Sequence, residues 1–315
     1  MLCSIIIPLY NKADFVADAI QSILNQSHQH FEVIVIDDGS TDDSASRVSV
    51  IHDHRIKLIQ QSNQGVSCTR NLGIERAQGD LVFFLDADDW YLPTYLETIV
   101  SMALRHPEIA FFATQFKNIN GTNQSDMFWN PGNPPVVELI DDLFYHWRFN
   151  VIFCTNSVAI RRLNLIQFQP CFPPGEQIAE DHDLWFRLAE QYRLAYYPAP
   201  LVAYRKEISD SLCATHEMNT LTPAYSRLEQ RAINRQLPDN LRDSALRLTT
   251  EAKITIARQA LINGRRYDAL MQLLNAWRGI TNSKRWWVSM VMCSVLPKSI
   301  ISRWENWRHQ RTRDW

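Results

Sequence analysis

Three acidic clusters in this 315-residue chain have the residue types and spacing to do chemistry. Asp37-Asp38-Gly39-Ser40-Thr41-Asp42 follows the apolar run 34–36, Asp86-Ala87-Asp88-Asp89 follows the run 82–85, and Glu180-Asp181-His182-Asp183 leads into Leu184, Trp185 and Leu188. Carboxylates crowded as in the second cluster repel one another, and a cation among them relieves the repulsion. Mg2+ or Mn2+ prefers oxygen ligands and completes its shell with phosphate oxygens, so Asp86-x-Asp88 is a candidate metal–diphosphate site. The plainer alternative is a solvated acidic turn. The first cluster is also what a turn and a helix cap would use. In the third, Asp181 is a candidate general base on a rigid element, with His182 as a competitor, although carboxylates at a helix N-terminus also serve the macrodipole. Arg70, early in a helix after the loop Asn63-Gln64-Gly65, suits either a phosphate or a loop carboxylate. Neither Gly-x-Gly-x-x-Gly after a strand nor the P-loop pattern occurs, so those two nucleotide folds are not supported.

The elements that must position these residues alternate through the first 120 positions. Residues 3–9, 32–36, 55–60, 81–85 and 109–116 read as strands, and stripes at helical spacing lie between them, as at Phe15, Val16, Ala19, Ile20, Ile23 and Leu24. Repeated strand–helix–strand units predict an α/β fold with a mainly parallel sheet covered by helices on both faces. In such sheets the loops after the strands converge on a crevice, which is where the first two acidic clusters fall. Residues 118–135 shift to Asn, Gly, Pro and Ser and read as a loop. Beyond it the pattern predicts a helix over 136–147, a strand over 153–160, a helix over 181–192 and strands over 194–197 and 201–205. After residue 211 only helical patterns remain, including a hairpin turning at Asn263-Gly264. The expected divisions are 1–210, 211–283 and 284–315.

Hydrophobic residues make up 46% and charged residues 21%, which excludes wholesale disorder. The net charge of −2 excludes a protein built mainly to coat nucleic acid. That average is uneven: residues 284–315 carry seven Lys/Arg against two Asp/Glu, leaving the rest acidic. The six cysteines are scattered without a Cys-x-x-Cys pair, as expected of a reduced chain. No basic leader and no apolar stretch of spanning length is evident, so a cytoplasmic location is expected.

Taken together, Ser4-Ile-Ile-Ile-Pro-Leu-Tyr-Asn11, Val35-Ile-Asp-Asp-Gly-Ser-Thr-Asp42, Asn63-x-Gly65 with Arg70-Asn71-x-Gly73, Leu85-Asp-Ala-Asp-Asp89 and Glu180-Asp181-x-Asp183-Leu184 resemble the family 2 inverting glycosyltransferases of the GT-A fold. The resemblance covers residues 1 to about 208. It implies a Rossmann-like catalytic domain, a nucleotide-sugar donor (a UDP-sugar first among them) and a hydroxyl acceptor on a glycan or lipid-linked molecule, in cell-surface polysaccharide or lipopolysaccharide synthesis. Carried over by position, Pro8 and Tyr10 would line the base pocket, and Asp38 would accept a hydrogen bond from the base. Arg70 would contact the base or nucleotide, and Asp86 the ribose. Asp88 would ligate Mn2+ or Mg2+, and Asp181 would be the catalytic base of a single displacement. Two positions depart from the family: Ala179 stands where Gly is frequent before Glu-Asp, and Glu207 where a His is frequent after Tyr-Arg-x. The Gln-x-x-Arg-Trp pattern of processive synthases is absent, which favours addition of one or a few sugars. A nucleotidyltransferase and a non-catalytic nucleotide-sugar-binding protein are the alternatives.

Six of the ten tryptophans lie between Trp277 and Trp315, among the basic residues of the tail. Trp and Lys/Arg suit an anionic bilayer interface, and such a peripheral contact at 284–315, on the inner face of the cell membrane, would bring the chain to a lipid-linked acceptor. The alternative is an aromatic face packed on the protein itself. No nucleic-acid recognition motif accompanies the tail.

Overall fold

A computed structural model describes residues 1–120, 135–176, 178–206, 220–280, 283–297, 300, 301, 303 and 304. They fall in two compact units, one within Met1–His146 and Asn150–Thr215 and the other within Trp147–Phe149 and His216–Trp315.

The first unit opens with the expected alternation: β1 (Cys3–Leu9), α1 (Val16–Leu24), β2 (Phe31–Asp37), α2 (Ser44–Ser49), β3 (Ile56–Gln60), α3 (Val66–Arg76) and β4 (Leu81–Phe84). β2 and β4 are buried throughout and β1 almost so, as strands covered on both faces must be, which is why their sequences are continuous apolar runs. Then follow β5 (Trp90–Tyr91), α4 (Tyr95–Arg105), β6 (Phe111–Asn120), β7 (Glu138–Ile140), α5 (Leu143–Trp147), β8 (Val158–Arg161), α6 (Arg162–Leu165), α7 (Glu180–Ala189) and β9 (Leu194–Lys206).

The strands form one sheet in the order β3-β2-β1-β4-β8-β6-β9-β5, with β7 also paired to β9. The expected parallel arrangement runs through β3, β2, β1 and β4. Past β4 the sheet is mixed: β8 is antiparallel to β4 and β6, whereas β6 and β9 are parallel. Chain order turns back between β1 and β4, so the crevice at their carboxyl ends is where this fold type accepts ligands. Two local expectations are corrected. The helix expected over 136–147 begins instead as β7, because Glu138–Ile140 pairs with β9, and only residues 143–147 are helical. The two late strands are one, β9, whose register against β6 shifts between Thr114 and Phe116. The prolines Pro198 and Pro200 fall at that irregularity, where a sheet tolerates them.

In α3 the usual logic of a packed helix is inverted: its buried positions include Ser67, Thr69, Arg70 and Asn71. Gly73 explains how closely it lies on the sheet, since a Cβ there would collide with the Ile6 side chain of β1.

The second unit holds α8 (Pro223–Ile233), α9 (Asp239–Ile262), α10 (Arg266–Asn275) and α11 (Lys284–Val295). α9 and α10 form the hairpin expected at Asn263-Gly264, with Gly264 at φ 81°. Ile254, Ala257, Leu261, Leu273, Trp286 and Met292 share its core, and the Trp286 indole donates to the Leu273 carbonyl at 2.7 Å. Among the described residues no helix is long and apolar enough to cross a membrane.

Candidate functional site

The loops at the ends of β1 and β2 are stitched together by short polar side chains. Asn11 adopts φ 50° and accepts from the Thr41 amide at 2.8 Å, while its own amide donates to Ser40 Oγ at 3.0 Å. The Lys12 amide donates to Ser44 Oγ at 2.8 Å. Asp38 is buried, and its carboxylate accepts the amides of Gln64 and Gly65 at 2.8 Å each and the Gln61 side chain at 2.7 Å. Those bonds fill three of its four or so acceptor positions, leaving about one for a ligand. Gly39 sits between, at φ 73°, where a Cβ would stand 3.0 Å from the Asn63 amide nitrogen. Pro8 is half-buried at the end of β1 and Tyr10 beyond it is 47% exposed. Neither is hydrogen-bonded to another of the expected site residues.

The crowded carboxylates after β4 are neutralised by the chain's own cations. Arg70 Nη2 lies 2.9 Å from Asp86 Oδ1, and Lys12 Nζ lies 2.8 Å from Asp88 Oδ2. Asp89 is buried, accepting the Arg205 amide at 2.7 Å and the Asn156 side chain. Burial, reinforced by Asp88 and Asp86, pushes its pKa well above the ordinary carboxylate value. Arg205 stacks over Phe15 and Trp90 and reaches the Asp88 carbonyl with Nε at 2.9 Å. Asn156 also accepts the Asp86 amide at 2.9 Å, so it and Arg205 set the shape of the loop.

Arg70 is only 5% exposed. Its second nitrogen, Nη1, meets Glu180 Oε1 at 2.7 Å, and its plane lies over the Phe172 ring. The two carboxylates and Asp181 raise its pKa despite burial. Both ends of this guanidinium are therefore engaged by protein carboxylates, of which Asp86 belongs to the β4 loop and Glu180 to α7. The neighbouring Asn71 donates to the Phe172 carbonyl at 2.7 Å and accepts the Phe172 amide at 3.0 Å, fixing the segment before α7.

Asp181 stands in the first turn of α7. Its Oδ2 accepts the Thr155 hydroxyl at 2.5 Å, and Oδ1 accepts the His182 amide at 2.9 Å. Burial opposes its ionisation, but His182, the Thr155 hydroxyl and Arg70 outweigh burial and hold its pKa below the ordinary value. It is thus a carboxylate at neutral pH. Ala179 precedes the helix at φ 54°, ψ 28°, a left-handed conformation that accounts for Gly being frequent at this position in the family it resembles. Glu207 lies outside the described residues.

Arg70, Asp86 and Asp181 are brought together through Glu180 and Thr155, while Asp88 is joined to Lys12. Lys12, Thr155, Asn156, Glu180 and Arg205 are participants to which residue patterns alone assign no role. Glu180 was visible as part of its cluster, and Arg205 as part of Tyr204-Arg205. Thr155 and Asn156 carried no signal.

Among the described residues, no group of three or more His, Cys, Asp or Glu is arranged to hold a metal. The donor chemistry still fits Mg2+ or Mn2+ of the kind held by one or two carboxylates plus substrate phosphates: Asp88 offers hard oxygens, one of them paired with the Lys12 ammonium.

Residues 4–165 match the family described as glycosyl transferase family 2. The chain is 30% identical over 240 residues to an uncharacterized glycosyltransferase of Haemophilus influenzae, covering 72% of each chain. It is 38% identical over 192 residues to one from Rickettsia conorii, covering 60% of this chain and 30% of that protein. The chain spans less than two thirds of the length of the first curated relatives it matches, 61% for one from Bacillus subtilis. In fold it is similar to S. aureus TarS 1-349 in complex with UDP-GlcNAc, with a TM-score of 0.62, 20% identity, and coverage of 80% of this chain and 71% of that one.

Proposed function

The chain belongs to glycosyl transferase family 2, and on that footing we propose that it transfers a sugar from a nucleotide sugar to an acceptor hydroxyl with inversion at the anomeric carbon. The observation that carries this is Asp181: a carboxylate kept ionised by His182, Thr155 and Arg70 against burial and oriented by Thr155, on a helix that Arg70 ties to the β4 loop. A base must be fixed relative to the leaving group if attack is to come from the opposite face. Asp181 would take the acceptor proton as the acceptor oxygen bonds to the anomeric carbon. The bond to the diphosphate breaks, its electron pair leaving with the diphosphate, through an oxocarbenium-like transition state. Pro8 and Tyr10 would flank the base, Asp38 would use its remaining acceptor position on it, and Asp86 would hold the ribose. Asp88 would hold Mg2+ or Mn2+ together with diphosphate oxygens, and such an ion, when bound, stabilises the charge of the leaving group.

A UDP-sugar is the first donor to try, a choice supported by the fold likeness to the UDP-GlcNAc complex of TarS. For the acceptor we favour a lipid-linked glycan. Support comes from α11, where Trp287 is 63% exposed and Val288, Val291 and Val295 are exposed with it. With Met292, Leu296, Ile300 and Trp304, three of these residues line an open apolar groove of about 410 Å³. An exposed apolar face beside basic residues suits a membrane surface.

The test is a panel of UDP-, dTDP- and GDP-sugars with Mn2+, scored for nucleoside diphosphate release, with Asp88→Ala as control. Release of diphosphate from one donor, lost in the variant, is expected. Pyrophosphate release from a nucleoside triphosphate would point to a nucleotidyltransferase instead. Donor binding with neither transfer nor hydrolysis would leave a binding protein.

A further inference from the structure

Lys12 follows β1 and Asp88 lies in the loop after β4, the two strands between which the chain order turns back. Their 2.8 Å ion pair therefore spans the crevice in which a ligand's phosphates are expected. The backbone that carries Lys12 is held at several points. Its amide donates to Ser44 Oγ, its carbonyl accepts the Phe15 and Val16 amides at 3.0 Å each, and the flanking Asn11 and Ala13 amides donate to Ser40 and Asp42. The ammonium thus starts from a fixed base on a flexible stem. Among the described residues two other cations lie near: Arg70 bonds two carboxylates, and Arg205, stacked on two aromatic rings, bonds the Asp88 carbonyl through Nε while its buried Nη1 has no partner. The Lys12 and Asp88 side chains are 20% and 19% exposed. The pair can thus be reached from the crevice, and a diphosphate, with more than one negative charge, is a stronger partner for an ammonium than a single carboxylate.

We propose that Lys12 grips the donor diphosphate, exchanging Asp88 for phosphate oxygens when donor enters. This rests on the chain being a nucleotide-sugar transferase. The ammonium donates hydrogen bonds to the diphosphate and stays protonated as the bond to the anomeric carbon breaks and the electron pair passes to the diphosphate oxygen. The acceptor proton goes to Asp181. In the free protein the same ammonium keeps Asp88 neutralised, which accounts for a crowded acidic loop being stable without a ligand.

The experiment compares binding of UDP and of uridine to the full chain, wild type against Lys12→Met and Lys12→Arg. Lys12→Met is expected to weaken UDP by about tenfold or more, as loss of one charge-assisted hydrogen bond does, and to leave uridine unchanged. UDP affinity equal to wild type in Lys12→Met overturns the proposal. Should Lys12→Met lose uridine as well, Lys12→Arg decides: uridine retained, with UDP retained or selectively weakened, supports a role at the diphosphate, and loss of both again overturns it. A wild-type chain that binds UDP no better than uridine would sink the nucleotide-sugar assignment itself, so the two failures are distinguishable.

Discussion

Arg70 Nη1 lies 2.7 Å from Glu180 Oε1, joining two residues 110 positions apart in the chain. With the bond to Asp86 this makes Arg70 a brace between the β4 loop and α7. Arg70→Met leaves two carboxylates without their cation, and a loss of about 3 kcal/mol or more is expected. Urea unfolding measures it. A variant within error of wild type would show that the brace contributes nothing.

Asp181→Asn keeps the shape of the side chain and removes the base. Transfer is expected to fall by a factor of about 10²–10⁴ while UDP affinity is retained. Wild-type transfer rates in this variant would remove Asp181 from the mechanism.

The Thr155 hydroxyl is one cause of the lowered pKa of Asp181. A depressed carboxylate stays ionised until the pH falls below the ordinary range, so the acidic limb of kcat/KM should lie low. Thr155→Val removes the hydrogen bond, and the limb should move to higher pH with activity near neutrality less affected. A limb that stays in place would mean that another group titrates there. The same sign applies to stability: the contribution of Asp181 is present above its unfolded pKa and is lost as the pH falls through the folded one.

Ala179→Gly should stabilise the chain by about 0.5–1 kcal/mol, because glycine adopts the left-handed conformation that costs an alanine more. Thermal unfolding checks it. A lower Tm would show that the methyl group makes contacts worth more than the strain.

On α11, Trp287→Ala should reduce partition onto phosphatidylglycerol vesicles by about tenfold or more, the worth of one large apolar side chain. Sedimentation reads this directly. Wild-type protein that stays in the supernatant would dismiss the membrane contact.

What could be read in advance depended on how locally each residue acts. Gly39, Asn11 and Asp38 serve backbone within their own and adjacent loops, so their motifs are compact and recognisable. The parallel half of the sheet announced itself because strands buried on both faces are apolar throughout. Thr155 and Asn156 act on residues 26 to 70 positions away from an unremarkable Cys-Thr-Asn-Ser stretch, where no spacing betrays a partner. The residues of β7 show a helical pattern for a similar reason: their pairing with β9 is a tertiary effect, absent from the segment itself. Arg70, by residue type and place alone, suits either a phosphate or a loop carboxylate. The fold adds its bonds to Asp86 and to Glu180, the second 110 positions away, where no local pattern points.

Within one turn of α3, Arg70 fastens Glu180, Asn71 fastens Phe172 and Gly73 seats the helix on β1. The stretch 173–179 is therefore bracketed by two anchors that belong to the scaffold. Exchanging that stretch for one of different length or composition would alter what lies beside Asp181 without altering how far Asp181 stands from the β4 loop. Under the proposed transfer reaction, a chimaera that swaps only these residues should change which hydroxyl is used while keeping the same donor.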